Sequence, residues 1–326
     1  MFSELLRRSV AGYARRSFGL RASASGCAPL GSRASFVSRA WRDWDRPAQH
    51  RAPPAVPLPS GVLVAHKPQE WTSFNVCAAI RGTFEEELRG HGRRFTRRRR
   101  LKVRHGGTLD PLAEGVMIIG VGDSCKLLNG YLKGDKGYVA RARLGRETNT
   151  QDVTGEVTVS RPFDHVKLED LKAAADALTG EIMQRPPVFS ALKKGGKRAH
   201  DLARRGEVSE EDMEPRPVSV HKLQVRAFDA ASGEFELAVR CGGGTYVRTL
   251  ILDIGRAVGS AAHMSALLRT RVGRFCIAQD ADADAGHVVR PVVWAGPANG
   301  FGDTRVLRAA MADVAAVLDQ DENLPK

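Results

Sequence analysis

The chain has 326 residues, a hydrophobic fraction of 42% and a formal net charge of +13. This length accommodates one large domain or two ordinary ones, each with a sizeable core. No apolar run reaches the roughly 18 residues that a membrane span requires, so we expect no membrane-spanning segment. The excess of positive charge favours a polyanionic partner, and nucleic acid is the partner that best fits it.

Cysteine and histidine spacing argues against metal chemistry. The five cysteines are scattered without a C-x-x-C pair, and the nine histidines show no H-x-x-x-H spacing. These patterns disfavour a disulfide framework and a zinc site. The chain also lacks a P-loop motif and a dinucleotide fingerprint after a predicted strand. The sequence therefore predicts a protein that uses no metal and no cofactor.

The first 60 residues differ in composition from the rest. Residues 1–26 are rich in Arg and Ser, with apolar residues at helical spacing and no continuous apolar core. This composition is typical of an organellar transit peptide. Residues 43–60 are proline-rich and indicate a linker. We expect mitochondrial localisation, with a plastid as the alternative; a basic arm that touches RNA is the competing interpretation.

From Gly61 onward the chain contains both strand and helix patterns. Strands are predicted for 61–68, 116–122, 137–145, 217–228 and 234–241, with 151–160 continuing the sheet. Helices are predicted after Thr72 or Ser73, over 123–134 and 168–178, and after Thr245. Strands and helices do not alternate regularly. The predicted fold class is therefore α+β, with a central mixed, largely antiparallel sheet flanked by helices.

Residues 89–104 form an arginine-rich segment with nine Lys or Arg and no acid. A solvated face is the simpler interpretation of such a run. Its charge density, however, repels itself unless it meets phosphate, which favours contact with an RNA backbone. The residues that we expect to make this contact are Arg97, Arg98, Arg99, Arg100 and Lys102.

The segment leads directly into "HGGTLDPLAEG" at 105–115, where Asp110 lies between a glycine turn and a proline. The apolar run that follows predicts a buried strand, so Asp110 is expected on a loop at the end of a sheet. Most carboxylates in loops are turn formers, but loops on rigid scaffolds often carry chemistry. We expect the glycines to let an RNA backbone approach closely.

Four further residues are candidates for the same site: His105, Tyr138, Tyr246 and Arg248. Each has a structural alternative. The tyrosines could be core aromatics, Arg248 a surface ion-pair partner and His105 a turn residue. Spacing alone does not bring them together.

Five ordered blocks resemble the TruB family of RNA pseudouridine synthases, whose catalytic motif is H-x-G-x-L-D-P-x-A-x-G. They are "HGGTLDPLAEGVMIIGVGDSCKLL", "DKGYVARARLGRETNTQDVTGEV", "MQRPPVFSALKKGGKRAHDLARRGE", "GGGTYVRTLILDIGRAVG" and "AAHMSALLRTRVGRF". Together they cover roughly residues 61–275. The resemblance implies a catalytic domain over 61–276 with the pseudouridine synthase fold.

The resemblance also implies an activity and a set of site residues. Members convert uridine to pseudouridine without a cofactor, typically in the tRNA T-loop at position 55. Asp110 matches the catalytic aspartate, Tyr138 the tyrosine that packs on the target base and Arg248 the basic partner of the aspartate. His105, Tyr246 and Leu267 match further positions that line the substrate site. Asp152 and Lys126 match polar positions to which we assign no role.

Three departures from the family pattern stand out. Glu70 replaces the glycine of K-P-x-G, and Asn149 replaces a common aspartate. The C-terminal extension at 277–326 is too short for the RNA-binding PUA domain of bacterial relatives, for which the arginine-rich segment could compensate. We expect a monomer that acts on the tRNA T-arm, with mRNA or rRNA as alternative substrates. The alternative function is a non-catalytic RNA chaperone or organellar ribosome-assembly factor.

Overall fold

A computed structural model describes residues 56–277, 287–288, 291–293 and 300–319. The predicted transit peptide and most of the predicted linker lie outside the described residues. Within the described part of the chain, no helix combines the length and the apolar character that crossing a membrane requires.

Six α-helices and one 3₁₀ helix occur in the described residues. They are α1 (Ser73–Gly90), the 3₁₀ helix (Gly122–Leu127), α2 (Leu128–Lys133), α3 (Leu168–Ala177), α4 (Ala199–Ala203), α5 (Val247–Ala257) and α6 (Thr304–Asp319). Thr72 caps α1, as predicted: its hydroxyl accepts from the Asn75 N–H at 3.2 Å, and its own N–H donates to the Asn75 side chain at 3.2 Å. These two bonds satisfy backbone donors that a helix start otherwise leaves unpaired.

The strands run from the start of the fold to its C-terminal part. They are β1 (Gly61–Lys67), β2 (Val103–His105), β3 (Glu114–Val121), β4 (Lys136–Leu144), β5 (Arg146–Thr148), β6 (Val157–Ser160), β7 (Gly180–Gln184), β8 (Lys193–Lys194), β9 (Lys197–Arg198), β10 (Arg216–Asp229), β11 (Glu234–Cys241), β12 (Ala262–Val272), β13 (Phe275–Cys276), β14 (His287–Val288) and β15 (Val292–Val293).

Eleven of these strands form one twisted layer in the order β15-β1-β3-β12-β4-β11-β10-β7, with β2, β13 and β14 attached to it. Only the pairs β1–β15, β3–β12 and β13–β14 are parallel among the described strands. The predicted α+β class with a mixed, largely antiparallel sheet is therefore confirmed.

The prediction that 151–160 continues the main sheet holds only at its start, where Asp152 forms a parallel bridge to Met264 of β12, and is wrong for β6. β5 and β6 pair only with each other in the described residues and form a separate hairpin. The chain leaves the main sheet at Gly145, whose φ of 94° is in the left-handed region that glycine favours. The Gly145 N–H then donates to the Ala261 carbonyl at 2.7 Å, which fixes the exit of β4.

One apolar cluster joins the central sheet to the helices that pack on it. α5 packs on β12, α3 on β10 and α6 on β1. The side chain of Met311 in α6 lies so close to Gly61 that a Cβ there would approach its sulfur to 2.9 Å. Parts of the predicted C-terminal extension thus pack against the first strand of the fold; the boundary at residue 276 stays a prediction.

Candidate active site

Asp110 lies on the loop that joins β2 to β3, here termed the Asp110 loop (residues 106–113). Its glycines are required by the protein's own packing. Gly107 has a φ of 141°, and a Cβ on Gly106 would approach Tyr131 to 3.2 Å. Gly115, just beyond the loop, has a φ of 111°, and a Cβ there would lie 2.3 Å from the Arg269 carbonyl oxygen. The structure thus accounts for the glycines without the RNA contact that we expected of them.

Groups from the start of the fold hold the Asp110 loop from its other side. The Ser73 hydroxyl accepts from the Leu109 N–H at 2.9 Å. The Glu70 N–H donates to the Pro111 carbonyl at 2.8 Å. The Lys67 ammonium donates to the same carbonyl at 3.2 Å, and also to the carbonyls of Pro68 and Trp71. Both residues flanking Asp110 are therefore fixed by hydrogen bonds.

Arg248 contacts the Asp110 carboxylate directly, with Nε 2.8 Å from Oδ2. The Arg248 side chain is 4% exposed and that of Asp110 is 35% exposed. The other guanidinium nitrogens donate to the carbonyls of Thr150 at 2.6 Å and Phe189 at 3.0 Å. With every nitrogen engaged, the planar guanidinium has one orientation and fixes the carboxylate, which stays open to solvent.

Tyr138 and Arg269 lie on neighbouring strands, where β4 and β12 place them opposite each other. Arg269 is 1% exposed and donates to the carbonyls of Val116 at 2.7 Å and Gly107 at 3.3 Å. It also forms a hydrogen bond with the Tyr138 hydroxyl. Burial raises the pKa of Tyr138 to about 12, so its hydroxyl keeps its proton at neutral pH.

The other three candidates lie around this centre. His105 ends β2, and burial, together with repulsion from Arg269, lowers its pKa, so the imidazole is neutral at neutral pH. Tyr246 precedes α5, where the Gln184 amide accepts from its N–H at 2.8 Å and donates to its carbonyl at 3.1 Å. Leu267 is buried on β12 opposite Ala140. Electrostatic interactions join His105 to Arg269 and Tyr246 to Asp110 and Arg248, so five of the six predicted residues share one region. Leu267 lies two positions before Arg269 on the same strand.

Comparison with known proteins decides the family. Residues 93–247 match the model described as TruB family pseudouridylate synthase (N terminal domain), and residues 248–317 match tRNA pseudouridylate synthase B C-terminal domain. The chain belongs to the TruB family. Its match to pseudouridylate synthase TRUB1 of Homo sapiens is 40% identical over 68% of this chain and 63% of that protein.

A bacterial relative matches at a similar identity. The tRNA pseudouridine synthase B of Thermobifida fusca (strain YX) is 41% identical to this chain. The match covers 70% of this chain and 74% of that protein. A solved structure described as a Cbf5-Nop10-Gar1 complex is 28% identical over 66% of this chain and 49% of that chain, with a TM-score of 0.47.

Sequence reasoning missed three buried cations that support this TruB-family site: Lys67, Lys136 and Arg269. Lys136 donates to three backbone carbonyls at the end of α2, those of Tyr131, Leu132 and Gly134. The shortest of these bonds is 2.6 Å, to Gly134. Burial lowers the pKa of Lys67 and of Lys136 to about 8. Cations between apolar residues of one strand, as Arg269 and Arg271 are in "ALLRTRV", are the signal that could have identified Arg269.

The arginine-rich segment shows two kinds of arginine. Arg97, Arg98, Arg99 and Lys102 are exposed, and none of them has a side-chain partner among the described residues. Arg100 instead pairs with the buried carboxylate of Glu85 at 3.1 Å. Arg100 therefore fixes the end of the segment against α1, whereas the other four cations are available to a partner.

Two polar family positions have different surroundings. The Asp152 carboxylate accepts from the Thr150 hydroxyl at 2.8 Å and from the Thr154 N–H at 3.0 Å. It thereby shapes the turn whose Thr150 carbonyl holds Arg248. Lys126 is exposed on the 3₁₀ helix.

Among the described residues, no cluster of His, Cys, Asp and Glu could hold a metal ion.

Proposed function

We propose that this protein isomerises uridine to pseudouridine in RNA without a cofactor, and that its substrate is the uridine of the tRNA T-loop. The observation that carries the proposal is the half-exposed Asp110 carboxylate, fixed by the buried Arg248 inside the TruB-family motif. Membership of the TruB family supports the chemistry, and the names of the bacterial relatives support tRNA as the substrate class.

The reaction requires the target nucleotide to leave its stack. The N1–C1′ bond breaks, the uracil turns and a C5–C1′ bond forms, so the atoms of substrate and product are the same. Within a stacked loop C1′ is out of reach, and the nucleotide must be flipped into the site. The ring of Tyr138, with a neutral hydroxyl held by Arg269, offers the extruded base an apolar surface with one polar edge.

Asp110 is the residue placed to start the chemistry. A carboxylate can attack C1′ and form a covalent intermediate, or it can take the C2′ proton in a route through a glycal. Both routes need an ionised carboxylate with a fixed direction of approach. The bond from Arg248 supplies that direction, and the two held residues that flank Asp110 prevent the loop from turning away.

Binding of the RNA is assigned to cations outside this centre. Arg97, Arg98, Arg99 and Lys102 precede the Asp110 loop and are free to meet backbone phosphates. Such contacts position RNA but carry no sequence information. We further propose that the protein acts as a monomer on the tRNA T-arm; an mRNA or rRNA stem-loop is the alternative substrate.

In vitro pseudouridine formation tests the proposal. Purified protein is incubated with an unmodified tRNA transcript, with the same transcript carrying cytidine at the T-loop target, and with unrelated rRNA and mRNA stem-loops. We expect one pseudouridine, formed only in the first transcript. Product in another RNA would overturn the T-loop assignment. Tight RNA binding without any product would favour the non-catalytic alternative.

The leader is proposed to direct the protein to the mitochondrion. Residues 1–60, with their Arg- and Ser-rich start, are fused to a fluorescent reporter, and the matched control replaces every arginine of the leader with glutamine. We expect mitochondrial fluorescence that the control loses. A plastid signal would assign the other organelle, and a cytosolic signal would leave the basic RNA-contacting arm as the better interpretation.

A further inference from the structure

A second cleft lies at the end of β4 away from Tyr138. It has a volume of about 470 Å³ and is open to solvent on one side. Its polar lining includes Arg143, Arg146, Arg161 and His263, and its apolar wall includes Val153 and Phe163. We call it the arginine cleft. Its size is within the range of pockets that hold small ligands.

The charge of the arginine cleft is unbalanced. Among the described residues, none of its three guanidinium groups has a hydrogen-bond or ion-pair partner, and all three arginines are exposed. Asp164 is the single carboxylate in the lining. Three guanidinium groups that line one cleft repel each other unless an anion lies between them. Phosphate is the anion whose geometry the guanidinium fork matches best.

The backbone and the two rings of the cleft are fixed before any ligand enters. The Arg161 N–H donates to the Gly145 carbonyl at 3.0 Å, which joins the two arginine-bearing segments. The His263 Nδ1 donates to the Arg146 carbonyl at 2.9 Å, which leaves Nε2 as the ring nitrogen available to the cleft. A Cβ on Gly145 would approach the Phe163 ring to 3.0 Å, so the ring is seated against bare backbone. A preformed cleft loses little entropy on binding.

The arginine cleft is separate from the Asp110 site but within reach of the same RNA. Arg143 lies five positions beyond Tyr138 on the extended strand β4. At roughly 3.4 Å per residue this places the two about 17 Å apart along the strand, and the odd spacing puts their side chains on opposite faces of it, so an RNA that contacts both passes around the end of β4. A stem-loop whose target nucleotide is at Tyr138 has further phosphates at such distances, since a strand of duplex advances about 3.4 Å per nucleotide.

We propose that the arginine cleft binds one backbone phosphate of the substrate RNA, with the adjoining nucleotide against the Val153–Phe163 wall. The proposal rests on the proposed function for its ligand, because it takes the phosphate from the RNA that the Asp110 site modifies. The cleft then acts as a second anchor that orients the stem while the target nucleotide is flipped.

The test compares two double variants that remove the same charge. Arg143→Ser with Arg161→Ser empties the cleft of two guanidinium groups and leaves Arg146, whose carbonyl holds His263. Arg226→Ser with Lys172→Ser is the control, since both residues are exposed and have no side-chain partner among the described residues. Equal melting temperatures for the two variants and the wild type show that each is folded. Binding of unmodified tRNA is measured over a range of salt concentrations.

We expect the cleft variant to lower the slope of log K against log salt by about 0.7–0.9, the value for one lost phosphate contact. The control keeps the wild-type slope, and the charge-retaining pair Arg143→Lys with Arg161→Lys restores it. A slope equal to that of the control would overturn the proposal.

Uridine monophosphate serves as the second probe, because a free nucleotide offers the same phosphate chemistry. We expect no binding of this nucleotide that depends on Arg143 and Arg161. Nucleotide binding lost in the cleft variant, with unchanged RNA slopes, would overturn RNA as the source of the phosphate. Since these measurements report binding alone, a wild-type protein that forms no pseudouridine would refute the proposed function without affecting the comparison of slopes.

Discussion

The Asp110 loop and the arginine-rich segment are neighbours in the chain, but they use their cations in opposite ways. Around the Asp110 loop, Arg248, Arg269 and Lys67 are at most 4% exposed and donate to protein carbonyls or to Asp110 itself. In the arginine-rich segment, Arg97 to Arg99 are exposed and have no side-chain partner among the described residues.

This difference separates positioning from binding. A buried cation whose N–H groups all bond to backbone carbonyls fixes a loop. Its removal leaves those carbonyls buried without a hydrogen-bond donor. An exposed cation without a partner contributes little to the fold and is available to phosphate. Mutations in the first group should therefore change stability and turnover, and mutations in the second group should change RNA affinity alone.

The largest effect on folding is expected for Arg269→Met. The change keeps the length of the side chain but leaves the carbonyls of Val116 and Gly107 and the Tyr138 hydroxyl without their donor. We expect a loss of about 3 kcal/mol in the free energy of unfolding. Urea denaturation measures it, with the exposed Arg226→Met as the control. A loss equal to that of the control would show that Arg269 does not hold the loop.

Arg248→Lys should primarily affect turnover. Lysine keeps the charge beside Asp110 but loses the fork that also engages Thr150 and Phe189. A carboxylate misplaced by even 1 Å can cost about 10²-fold in rate, and we expect a loss of that order in kcat with little change in RNA affinity. Single-turnover kinetics measures this, with Arg226→Lys as the control. Wild-type kcat in the lysine variant would mean that charge alone suffices.

Replacing Arg97, Arg98 and Arg99 with Ser should weaken RNA binding without a change in stability. If all three touch phosphate, the slope of log K against log salt falls by about 2 to 3 units, and affinity falls alike for cognate and unrelated RNA. Arg100 is left intact because it pairs with Glu85. An unchanged slope would show that this surface is simply solvated.

The smallest effect is expected for Glu70→Gly. Glu70 has a φ of 66°, which is unfavourable for any residue with a Cβ, and it occupies the position where the TruB family uses glycine. Relief of that strain outweighs the added flexibility of the unfolded chain, so we expect a gain of about 0.5–1 kcal/mol in the free energy of unfolding. Thermal denaturation measures the change in stability, with Gln69→Gly as the control. A glycine variant less stable than the wild type would contradict the strain.

Local patterns predicted the elements that carry the site. The apolar run after Asp110 became β3, the alternating residues around Tyr138 became β4, and the helical spacing after Tyr246 became α5. A continuous apolar run marks β3, which is buried on both faces, whereas a side-chain period marks β4 and α5; both signals are visible in a single sequence. The pairing of Asp110 with Arg248 was inferred from the family resemblance and agrees with the 2.8 Å contact.

The supports of the site could not be predicted in the same way. Lys67, Lys136 and Arg269 donate to backbone carbonyls, and a carbonyl acceptor leaves no mark in the residue pattern. The exit of β5 and β6 from the main sheet depends on the positive φ of Gly145 and on a bond to Ala261, 116 positions further along the chain. Contacts of this kind exist only once distant strands have met.

A single-turnover assay with saturating tRNA tests the role of Asp110 most directly. It compares Asp110→Asn and the Arg97–Arg99 triple serine variant with the wild type. Asn is nearly isosteric with Asp but has no charge. We predict no pseudouridine from Asp110→Asn with retained tRNA binding and melting temperature, and a wild-type rate from the triple variant. Substantial product from Asp110→Asn would contradict the assignment of the chemistry to this carboxylate.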